Sequence, residues 1–259
     1  MRLRVWLPWY KRIAARLGLS MEADWKATLR LADLARGKVV KPSEAAARIS
    51  GRTVVVFGAG PSLEKDVERL SRAGLLSLTV PVAANGAVTA LLAKQVIPAL
   101  VVSDLDGRVR DLLRAERLGA LMVVHGHGDN VGRLEALVPR FRRLLATTQV
   151  SPVRGLVYNF GGFTDGDRAV FLAEALKAER VVLAGMDLGE TVGRFSKPGL
   201  KGEVKASTRK RVKLEIAGEL LAWLAGWAKT EILNFTFGGV DIPGIRRVDL
   251  QELRRLLRA

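Results

Sequence analysis

The sequence predicts an α/β protein: a Rossmann-like three-layer domain with a mostly parallel sheet, a helical N-terminal extension and C-terminal helices. From Thr53 onward, short apolar runs rich in β-branched residues alternate with segments of helical periodicity, which is typical of a parallel sheet. Each apolar run ends in a cluster of Gly, Asp or Asn. The 259 residues, 49% of them hydrophobic, are enough to bury the core of such a domain.

The chain divides into three parts. Residues 1–50 form a helical extension, residues 51–190 the α/β catalytic core, and residues 191–259 a basic loop with C-terminal helices that pack on the core. The predicted strands of the core and the region after it are Thr53–Phe57, Thr79–Ala84, Ala99–Ser103, Ala120–Val124, Leu144–Val150, Leu156–Phe160, Arg180–Ala184 and Glu231–Phe237.

The first helix of the extension carries Trp6, Trp9 and Tyr10 among basic residues. Such a helix is compatible with contact to a membrane surface, but docking on the domain is the favoured interpretation. The chain shows neither a signal peptide nor an apolar run long enough to span a membrane, so we expect a cytoplasmic protein without membrane partners.

The amino-acid composition excludes several kinds of metal site and indicates the charge of the partner. The absence of cysteine excludes disulfides and thiolate metal sites, and the only histidines, His125 and His127, are too few for most zinc hydrolases. The formal net charge of +16 favours an anionic partner. No zinc-finger or RNA-binding motif accompanies it, so nucleic acid is not the expected partner and a polyphosphate ligand is favoured.

The stretch from Val101 to Gly107 carries the most specific chemistry. A buried strand leads into Asp104 and Asp106, whose side chains would point to the same side if the strand continued through them. Two converging carboxylates suit Mg²⁺, which is held by one or two carboxylates plus substrate phosphates. The alternative is a strand end at which an Asp caps the next helix.

Two earlier turns add groups for a phosphate. Gly58, Gly60, Pro61 and Ser62 lie between the first strand and a helix, where backbone N–H groups and a helix N-terminus can bind phosphate. The motif is neither a Walker A loop nor GxGxxG, so a tight βα turn is the alternative. Asn85 follows the second strand and either orients a ligand or caps a helix.

Three later turns add polar groups in the same way. His125 to Asn130 follow the fourth strand, Asp165 and Asp167 follow the sixth, and Asp187 follows the seventh. In an open parallel sheet, ligands bind outside the carboxyl ends of the strands. Because all six clusters fall at carboxyl ends, the sequence predicts one site along a single rim.

Basic residues recur every four positions after Gly189: Lys197, Lys201, Lys205, Arg209 and Lys213. Pro198 and two glycines prevent one continuous helix, so the pattern predicts a mobile basic loop leading into a helix from about Ser207 to Lys229. Such a loop can close over phosphates and exclude water. A solvated charged face is the alternative.

The order of GAGPSL, AANGA, SDLDG, HGHGDN, NFGGFTDGDRA and GMDLG resembles the archaeal 6-hydroxymethyl-7,8-dihydropterin diphosphokinase family, whose members carry a domain related to thiamin diphosphokinases. The resemblance covers about residues 55–215. It implies Mg²⁺-dependent transfer of diphosphate from ATP, the co-substrate, to the hydroxymethyl group of a reduced pterin, within folate- or methanopterin-type coenzyme synthesis. A homodimer is compatible with it.

The resemblance also implies roles. Asp104 and Asp106 would hold Mg²⁺, Gly58, Gly60, Pro61, Ser62 and Asn85 would contact ATP, and Lys205, Arg209 and Lys213 would neutralise its phosphates. His127 and Asp129 would join the catalytic groups, with His125 able to hydrogen-bond phosphate. Asn130, Asp165 and Asp167 would contact the pterin, and Asp129, Asp165 and Asp167 could equally serve the metal.

Four other interpretations of the motifs differ in the chemistry they predict. A haloacid-dehalogenase-type phosphatase would place DxDG after its first strand, whereas here the motif follows the third. A metal-dependent glycosyltransferase, of the type related to flagellar glycosylation, also binds metal through DxD. Transfer of diphosphate to another alcohol, as in thiamin diphosphokinases, is the third. A nucleic-acid binder would instead show salt-sensitive binding that survives Asp104→Ala.

Overall fold

The structure, a computed structural model, describes residues 3–258. Its helices are α1 Leu3–Leu17, α2 Met21–Leu34, α3 Pro42–Ile49, α4 Leu63–Arg72, α5 Ala87–Ala93, α6 Val109–Arg117, α7 Val131–Leu137, α8 Asp165–Ala175, α9 Thr208–Ala225 and α10 Leu250–Leu256. Its strands are β1 Thr53–Phe57, β2 Val80–Ala84, β3 Leu100–Ser103, β4 Leu121–Gly126, β5 Leu144–Thr148, β6 Val157–Tyr158, β7 Arg180–Ala184, β8 Thr191–Val192, β9 Val204–Lys205, β10 Glu231–Asn234 and β11 Arg246–Arg247.

Nine strands form one sheet in the order β11-β10-β7-β1-β2-β3-β4-β5-β6. Every pairing between neighbours in this sheet is parallel. Strands β8 and β9 form a separate antiparallel hairpin. The architecture confirms the predicted α/β class with a mostly parallel sheet.

Helices cover both faces of the sheet, because alternate residues of each strand point to opposite sides. In β1, Val54 and Val56 pack with helices α1, α3, α8 and α9, whereas Val55 and Phe57 pack with α2, α4, α5, α6, α7 and α10. The strands are buried on both faces, which explains their continuous apolar runs. The result is the predicted three-layer arrangement.

The N-terminal helices are built into these layers. Trp6 and Tyr10 of α1 are fully buried in one core, and Leu31 of α2 is fully buried in the other. The aromatic ring of Trp9 lies 5.1 Å from that of Trp223 in α9. Helix α1 is therefore docked on the domain, as the favoured interpretation predicted.

The order in which strands are added to the sheet changes direction at β1. Strands β2 to β6 extend the sheet on one side of β1, whereas β7, β10 and β11 extend it on the other. Ligands of open parallel sheets bind at such a switch point, outside the carboxyl ends of the strands. The topology therefore directs attention to the turns after β1 and β7 and to their neighbours.

Several elements differ from expectation. The sequence pattern did not indicate α7 or β11, and it described the β8–β9 hairpin as part of a loop. Helix α9 begins at Thr208, one residue after its Ser207 cap, and ends at Ala225 before Gly226. No helix within residues 3–258 is both long and apolar enough to cross a membrane.

Candidate active site

A cavity of about 620 Å³ opens at the carboxyl ends of the central strands. It is lined by turns that follow β1, β2, β3, β4 and β7, by the starts of α8 and α9, and by the link between α1 and α2. The sequence-predicted site residues that line it are Gly58, Gly60, Asn85, Asp104, Asp106, His127, Asp129, Asp165, Arg209 and Lys213. All six predicted clusters therefore contribute to one cavity.

The two carboxylates after β3 converge through a turn. Strand β3 ends at Ser103, and Leu105 has a left-handed backbone with φ of 68°. The Asp106 N–H donates to Asp104 Oδ1 at 3.1 Å, and the Leu105 N–H donates to Ser103 Oγ at 2.8 Å. The expected convergence is found, but its cause is this turn rather than the alternation of an extended strand.

The charges of the pair are set by their surroundings. Burial alone would raise the pKa of Asp104, but hydrogen bonds from the His127 ring and from Asp106 outweigh it and lower the pKa below its usual range. Burial and the negative charge of Asp104 raise the pKa of Asp106. Asn85 Nδ2 donates to Asp106 Oδ1, and the Ser103 hydroxyl donates to Asn85 Oδ1 at 2.9 Å. Asn85 thus braces the acidic turn.

This donor set fits a magnesium ion that completes its coordination with waters and, when substrate is present, with phosphate oxygens. Within residues 3–258 no three His, Asp or Glu side chains converge as a complete metal cage. Magnesium usually keeps several waters and takes one or two carboxylates plus phosphate oxygens. A cation between Asp104 and Asp106 would also offset the repulsion that raises the pKa of Asp106.

The turn after β4 holds His127 in one tautomer. The Asp129 N–H donates to His127 Nδ1 at 3.2 Å, so the ring proton lies on Nε2. Nε2 is 3.5 Å from Asp104 Oδ2 and donates toward that carboxylate. The ring of His127 therefore contacts and orients Asp104. Its other nitrogen, Nδ1, already accepts the Asp129 N–H and is not available to take a proton from a substrate.

Two neighbours of His127 lie outside the cavity. Asn130 is buried, accepts the His127 N–H through Oδ1, and donates through Nδ2 to the carbonyls of Asp104 and His125 at 2.9 and 2.8 Å. It holds the turn and has no contact to offer a pterin, contrary to expectation. His125 is fully buried beside Thr147, and burial lowers its pKa well below the usual value, so it is neutral and shielded from phosphate.

The turn after β1 uses its donors internally. The N–H groups of Gly58 and Gly60 donate to the carbonyls of Ala184 and Gly185, each at 2.9 Å. The Ser62 N–H and hydroxyl donate to the carboxylate of Asp187, the hydroxyl at 3.0 Å. The expectation that these groups donate to phosphate is therefore not met, because the strand β7 and its turn occupy them.

Pro61, which has no N–H, and Ser62 are not among the cavity-lining residues, whereas Gly58, Gly60 and Asp187 are. A Cβ on Gly60 would overlap the Asp187 carboxylate and lie 2.6 Å from the Gly185 carbonyl oxygen. The glycine is required so that β1 and β7 can approach each other at the switch point. The tight-turn alternative describes this segment better than a phosphate loop.

The two carboxylates at the start of α8 have different roles. Asp167 is fully buried and accepts the N–H groups of Phe163 and Thr164 at 2.6 and 2.7 Å, together with the Thr164 hydroxyl. It closes a capping box and is not among the residues that line the cavity, so the structure does not bring it together with the other predicted site residues. The Thr164-x-x-Asp167 spacing was a signal for this role.

Asp165 faces the cavity with its side chain 14% exposed and has one weak partner, Arg168 at 3.4 Å. Burial and the charges of Asp104 and Asp106 raise its pKa well above the usual value. Arg168 is buried and donates to the Phe163 carbonyl at 2.8 Å and toward Gln149 Oε1 at 3.4 Å. Asp165 is thus a buried carboxyl with capacity left for a hydrogen-bonding ligand.

Cations line the same cavity as the acidic turn. Arg209, Lys210 and Lys213 at the start of α9 line the cavity, as does Lys197. Lys205 lies on β9, is exposed and is not among the lining residues, which contradicts its predicted phosphate contact. The four-residue spacing was misleading because α9 begins only at Thr208, after Lys205.

Sequence reasoning missed Lys210 as a site residue. Burial and the charge of Lys213 lower its pKa, while Asp165 and Asp106 act in the opposite direction. It also missed Asp24 and Gln149, which line the cavity from α2 and from the residue after β5. The sequence did contain a signal for Asp24, because it is an acidic residue on the buried side of the amphipathic helix α2.

Known proteins with similar sequences match most of this chain. The family model described as 6-hydroxymethylpterin diphosphokinase MptE-like matches residues 31–193. A Methanothermobacter thermautotrophicus protein named 6-hydroxymethyl-7,8-dihydropterin pyrophosphokinase is 45% identical over 226 residues, which are 86% of this chain and 95% of that protein. A Pyrococcus furiosus protein of the same name is 44% identical over 239 residues, 91% of this chain and 100% of that protein.

A solved structure shares the fold. The Maf glycosyltransferase of Magnetospirillum magneticum superimposes with a TM-score of 0.61 at 18% identity, covering 90% of this chain and 39% of that longer chain. Similarity at this identity concerns the fold alone. The family match and the two relatives extend over most of the sequence, including all six motifs, and the chain therefore belongs to the 6-hydroxymethylpterin diphosphokinase MptE-like family.

Proposed function

We propose that the protein transfers diphosphate from ATP to the hydroxymethyl group of 6-hydroxymethyl-7,8-dihydropterin in a Mg²⁺-dependent reaction. The observation that carries the proposal is the 44–45% identity to proteins named for this pyrophosphokinase activity. The cavity supports it, because acidic and basic groups together line a space of about 620 Å³.

In the proposed reaction the alcohol oxygen forms a bond to the β-phosphorus of ATP. The bond from that phosphorus to the α,β-bridging oxygen breaks, AMP leaves with the electron pair, and the hydroxyl proton passes to water. Little covalent work falls to the protein, so positioning and charge neutralisation carry the acceleration.

Asp104 and Asp106 would hold Mg²⁺, which when bound neutralises charge on the phosphates. His127 Nε2 lies 3.5 Å from Asp104 Oδ2, so it orients the carboxylate and leaves acceptor capacity on that oxygen for a cation. Asp129 lines the cavity beside His127 and is 3.2 Å from its ring through the backbone N–H. In sequence, Asp129 is the exposed acidic residue nearest to Asp104 and Asp106.

Arg209, Lys210 and Lys213 would bind the phosphates from the opposite side. They project from the first turns of α9, and the N-terminus of this 18-residue helix adds a partial positive charge. Lys210 is half-buried, and the negative charges of Asp165 and Asp106 act on its ammonium group. A phosphate bound next to Lys210 would take over the role of these carboxylates as its anionic partner.

Asp165 would bind the pterin. The aminopyrimidinone edge of a pterin presents two adjacent N–H donors, which a carboxylate accepts in a bidentate pair. Asp165 has unused acceptor capacity, lines the cavity and lies 3.4 Å from buried Arg168. Donors from the ring would counteract the burial that raises the pKa of Asp165.

A product assay tests the proposal. The protein is incubated with ATP, MgCl₂ and the reduced pterin, and ³¹P NMR identifies the products. AMP together with a diphosphorylated pterin is expected, whereas ADP with a monophosphorylated pterin would overturn the transfer type. Thiamin and pterin are offered in parallel, so that transfer to another alcohol is recognised.

The fold shared with a glycosyltransferase supplies the second candidate. Incubation with sugar nucleotides and acceptor peptides separates the two. Release of a nucleoside diphosphate or monophosphate from the sugar donor, with no pterin product, would favour sugar transfer. The identity to the pyrophosphokinases favours the opposite result.

A further inference from the structure

The link between the two N-terminal helices reaches the candidate active site. Gly18, Leu19 and Ser20 connect α1 to α2 and line the cavity, together with Ala23 and Asp24 in the first turn of α2. Asp24 is buried, with 4% of its surface exposed, although it is charged. Its Oδ1 accepts the N–H of Gly128 at 2.7 Å.

Three buried groups fix the Asp24 carboxylate. The Tyr10 hydroxyl donates to Asp24 Oδ2, and Gln149 Nε2 donates to the same oxygen at 3.0 Å. Trp6 Nε1 donates to the Gln149 carbonyl at 2.8 Å. Burial and the hydrogen bond to Asp24 raise the pKa of Tyr10, so its hydroxyl remains a donor. The carboxylate therefore has a single orientation, with Oδ1 directed at Gly128.

Gly128 belongs to the turn that contacts Asp104. The next N–H in the chain, that of Asp129, donates to His127 Nδ1 and fixes the ring tautomer. His127 Nε2 then donates toward Asp104 Oδ2 at 3.5 Å. Asn130 ties the same turn to the Asp104 backbone, through Nδ2 to the carbonyl oxygen at 2.9 Å. Hydrogen bonds, together with the backbone of residues 127–130, thus join α2 to the acidic turn.

Packing supports the hydrogen bond. A Cβ on Gly128 would lie 2.8 Å from the Ala23 Cβ, so α2 and the turn touch without room for a methyl group. Gly128 does not have a left-handed backbone, which means that close approach to α2 rather than chain conformation requires glycine here. The turn is held against the helix by both a charged acceptor and close contact.

We propose that Asp24 is a positioning residue that fixes the turn 127–130 and, through His127, orients Asp104 for a divalent cation. This inference rests on the proposed function only in its assignment of Asp104 to the cation. Groups that orient a metal ligand are typically worth about 10- to 100-fold in metal affinity. The N-terminal helices are then part of the catalytic apparatus, in addition to covering the core.

Cation binding by the nucleotide-free protein tests the inference directly. Mn²⁺ is titrated into the full chain, and the free ion is measured by electron paramagnetic resonance. Asp24→Ala is expected to weaken Mn²⁺ binding about tenfold. Asp24→Asn keeps an oxygen for the Gly128 N–H and should bind Mn²⁺ within about threefold of the wild type, which corresponds to a difference of less than ~0.7 kcal/mol.

Thr28→Val provides the matched control. The Thr28 hydroxyl is buried in the same helix, donates to the Asp24 carbonyl at 2.7 Å and lies 2.6 Å from Thr148 Oγ1, but does not contact the turn. The variant should lose stability without losing Mn²⁺ affinity. Equal weakening in Thr28→Val and Asp24→Ala, or wild-type affinity in Asp24→Ala, would overturn the inference.

Gly128→Ala tests the same contact from the other side and does not depend on Asp24→Ala folding. The added methyl group should push the turn from α2 and weaken Mn²⁺ binding, and Ala23→Gly in the same chain should restore it. Failure of this rescue would also contradict the inference. A wild-type protein that binds Mn²⁺ as described yet makes no pterin diphosphate would refute the proposed function alone.

Discussion

Two parts of the cavity rim follow the same sequence pattern but differ in how their polar groups are used. The glycine rim comprises residues 58–62 and 185–187 after β1 and β7, and the acidic rim comprises residues 104–107 and 127–130 after β3 and β4. In the glycine rim, Asp66 behind the turn accepts the Gly185 N–H at 3.0 Å, and the Ser62 hydroxyl lies between Asp66 Oδ2 and Asp187 Oδ2, at 2.9 and 3.0 Å. Asp187 is occupied by Ser62 as well.

The acidic rim has fewer donors than acceptors. Asp104 and Asp106 share the Asn85 amide and receive one backbone N–H from within the turn. Their remaining oxygens face a cavity that contains cations on its other side. The comparison teaches that a polar cluster at a strand end becomes a candidate ligand site only where the fold leaves hydrogen-bonding capacity unused.

The largest expected effect follows from neutralising the acidic rim. Asp104→Asn keeps the shape of the side chain but removes the charge, and we expect turnover of the pterin reaction to fall about 10³-fold. Because the surroundings of Asp104 lower its pKa in the folded chain, its charge stabilises the fold, and the free energy of unfolding should fall as well. Product formation and urea denaturation measure the two quantities. Substantial turnover in a folded variant would show that Asp104 is dispensable.

A smaller loss is expected on the basic side of the cavity. Lys210→Met should lower kcat/KM for ATP about 100-fold, equivalent to about 2.7 kcal/mol, which is within the range for a hydrogen bond to a charged group. Lys205→Met is the control, because Lys205 is exposed on β9 and outside the cavity. Steady-state kinetics with varied ATP compares them. Equal losses in both variants would mean that general charge, rather than position, matters.

Lys205 and Lys210 also show which features of the site could be predicted from the sequence and which could not. The rim was predictable because each buried strand ended in polar residues, and carboxyl ends of parallel strands necessarily lie together. The local geometry was less predictable. Lys205 precedes α9 and lies outside the cavity, whereas Lys210 lies in the first turn of α9 and lines it. The difference depends on where α9 begins, which is set by the Ser207 cap. Asp167 was misassigned because its capping role requires reading Thr164 with it.

The contact from Asp24 to Gly128 lay beyond sequence reasoning for a different reason. The two residues are 104 positions apart, and helical periodicity indicates which side of a helix is buried but not what it touches. The β1 turn was misread because its N–H groups bond to β7, more than 120 residues later in the chain. Long-range pairing therefore decided which donors remained free.

A glycine-rim substitution should affect stability more than chemistry. Gly60→Ala places a methyl group against the Asp187 carboxylate and the Gly185 carbonyl, and we expect the free energy of unfolding to fall by about 2 kcal/mol. Turnover per folded molecule should change little, because the rim binds itself rather than substrate. Urea denaturation and kinetics at low temperature check both. A stable but inactive variant would instead favour phosphate binding by this turn.

The smallest expected effect concerns pH and Asp187. Burial raises its pKa above the usual 3.8, so the folded state holds this proton more tightly than the unfolded state. The group therefore stabilises the fold at low pH, and that contribution is lost as pH rises from 3.8 through the raised pKa. Asp187→Asn removes the titration. The free energy of unfolding of the variant, minus that of the wild type, should then increase with pH across this window and level off above it. A difference that does not vary with pH would mean that Asp187 ionises as readily in the folded chain as in the unfolded one, and the self-contained character of the glycine rim would then rest on its backbone hydrogen bonds alone.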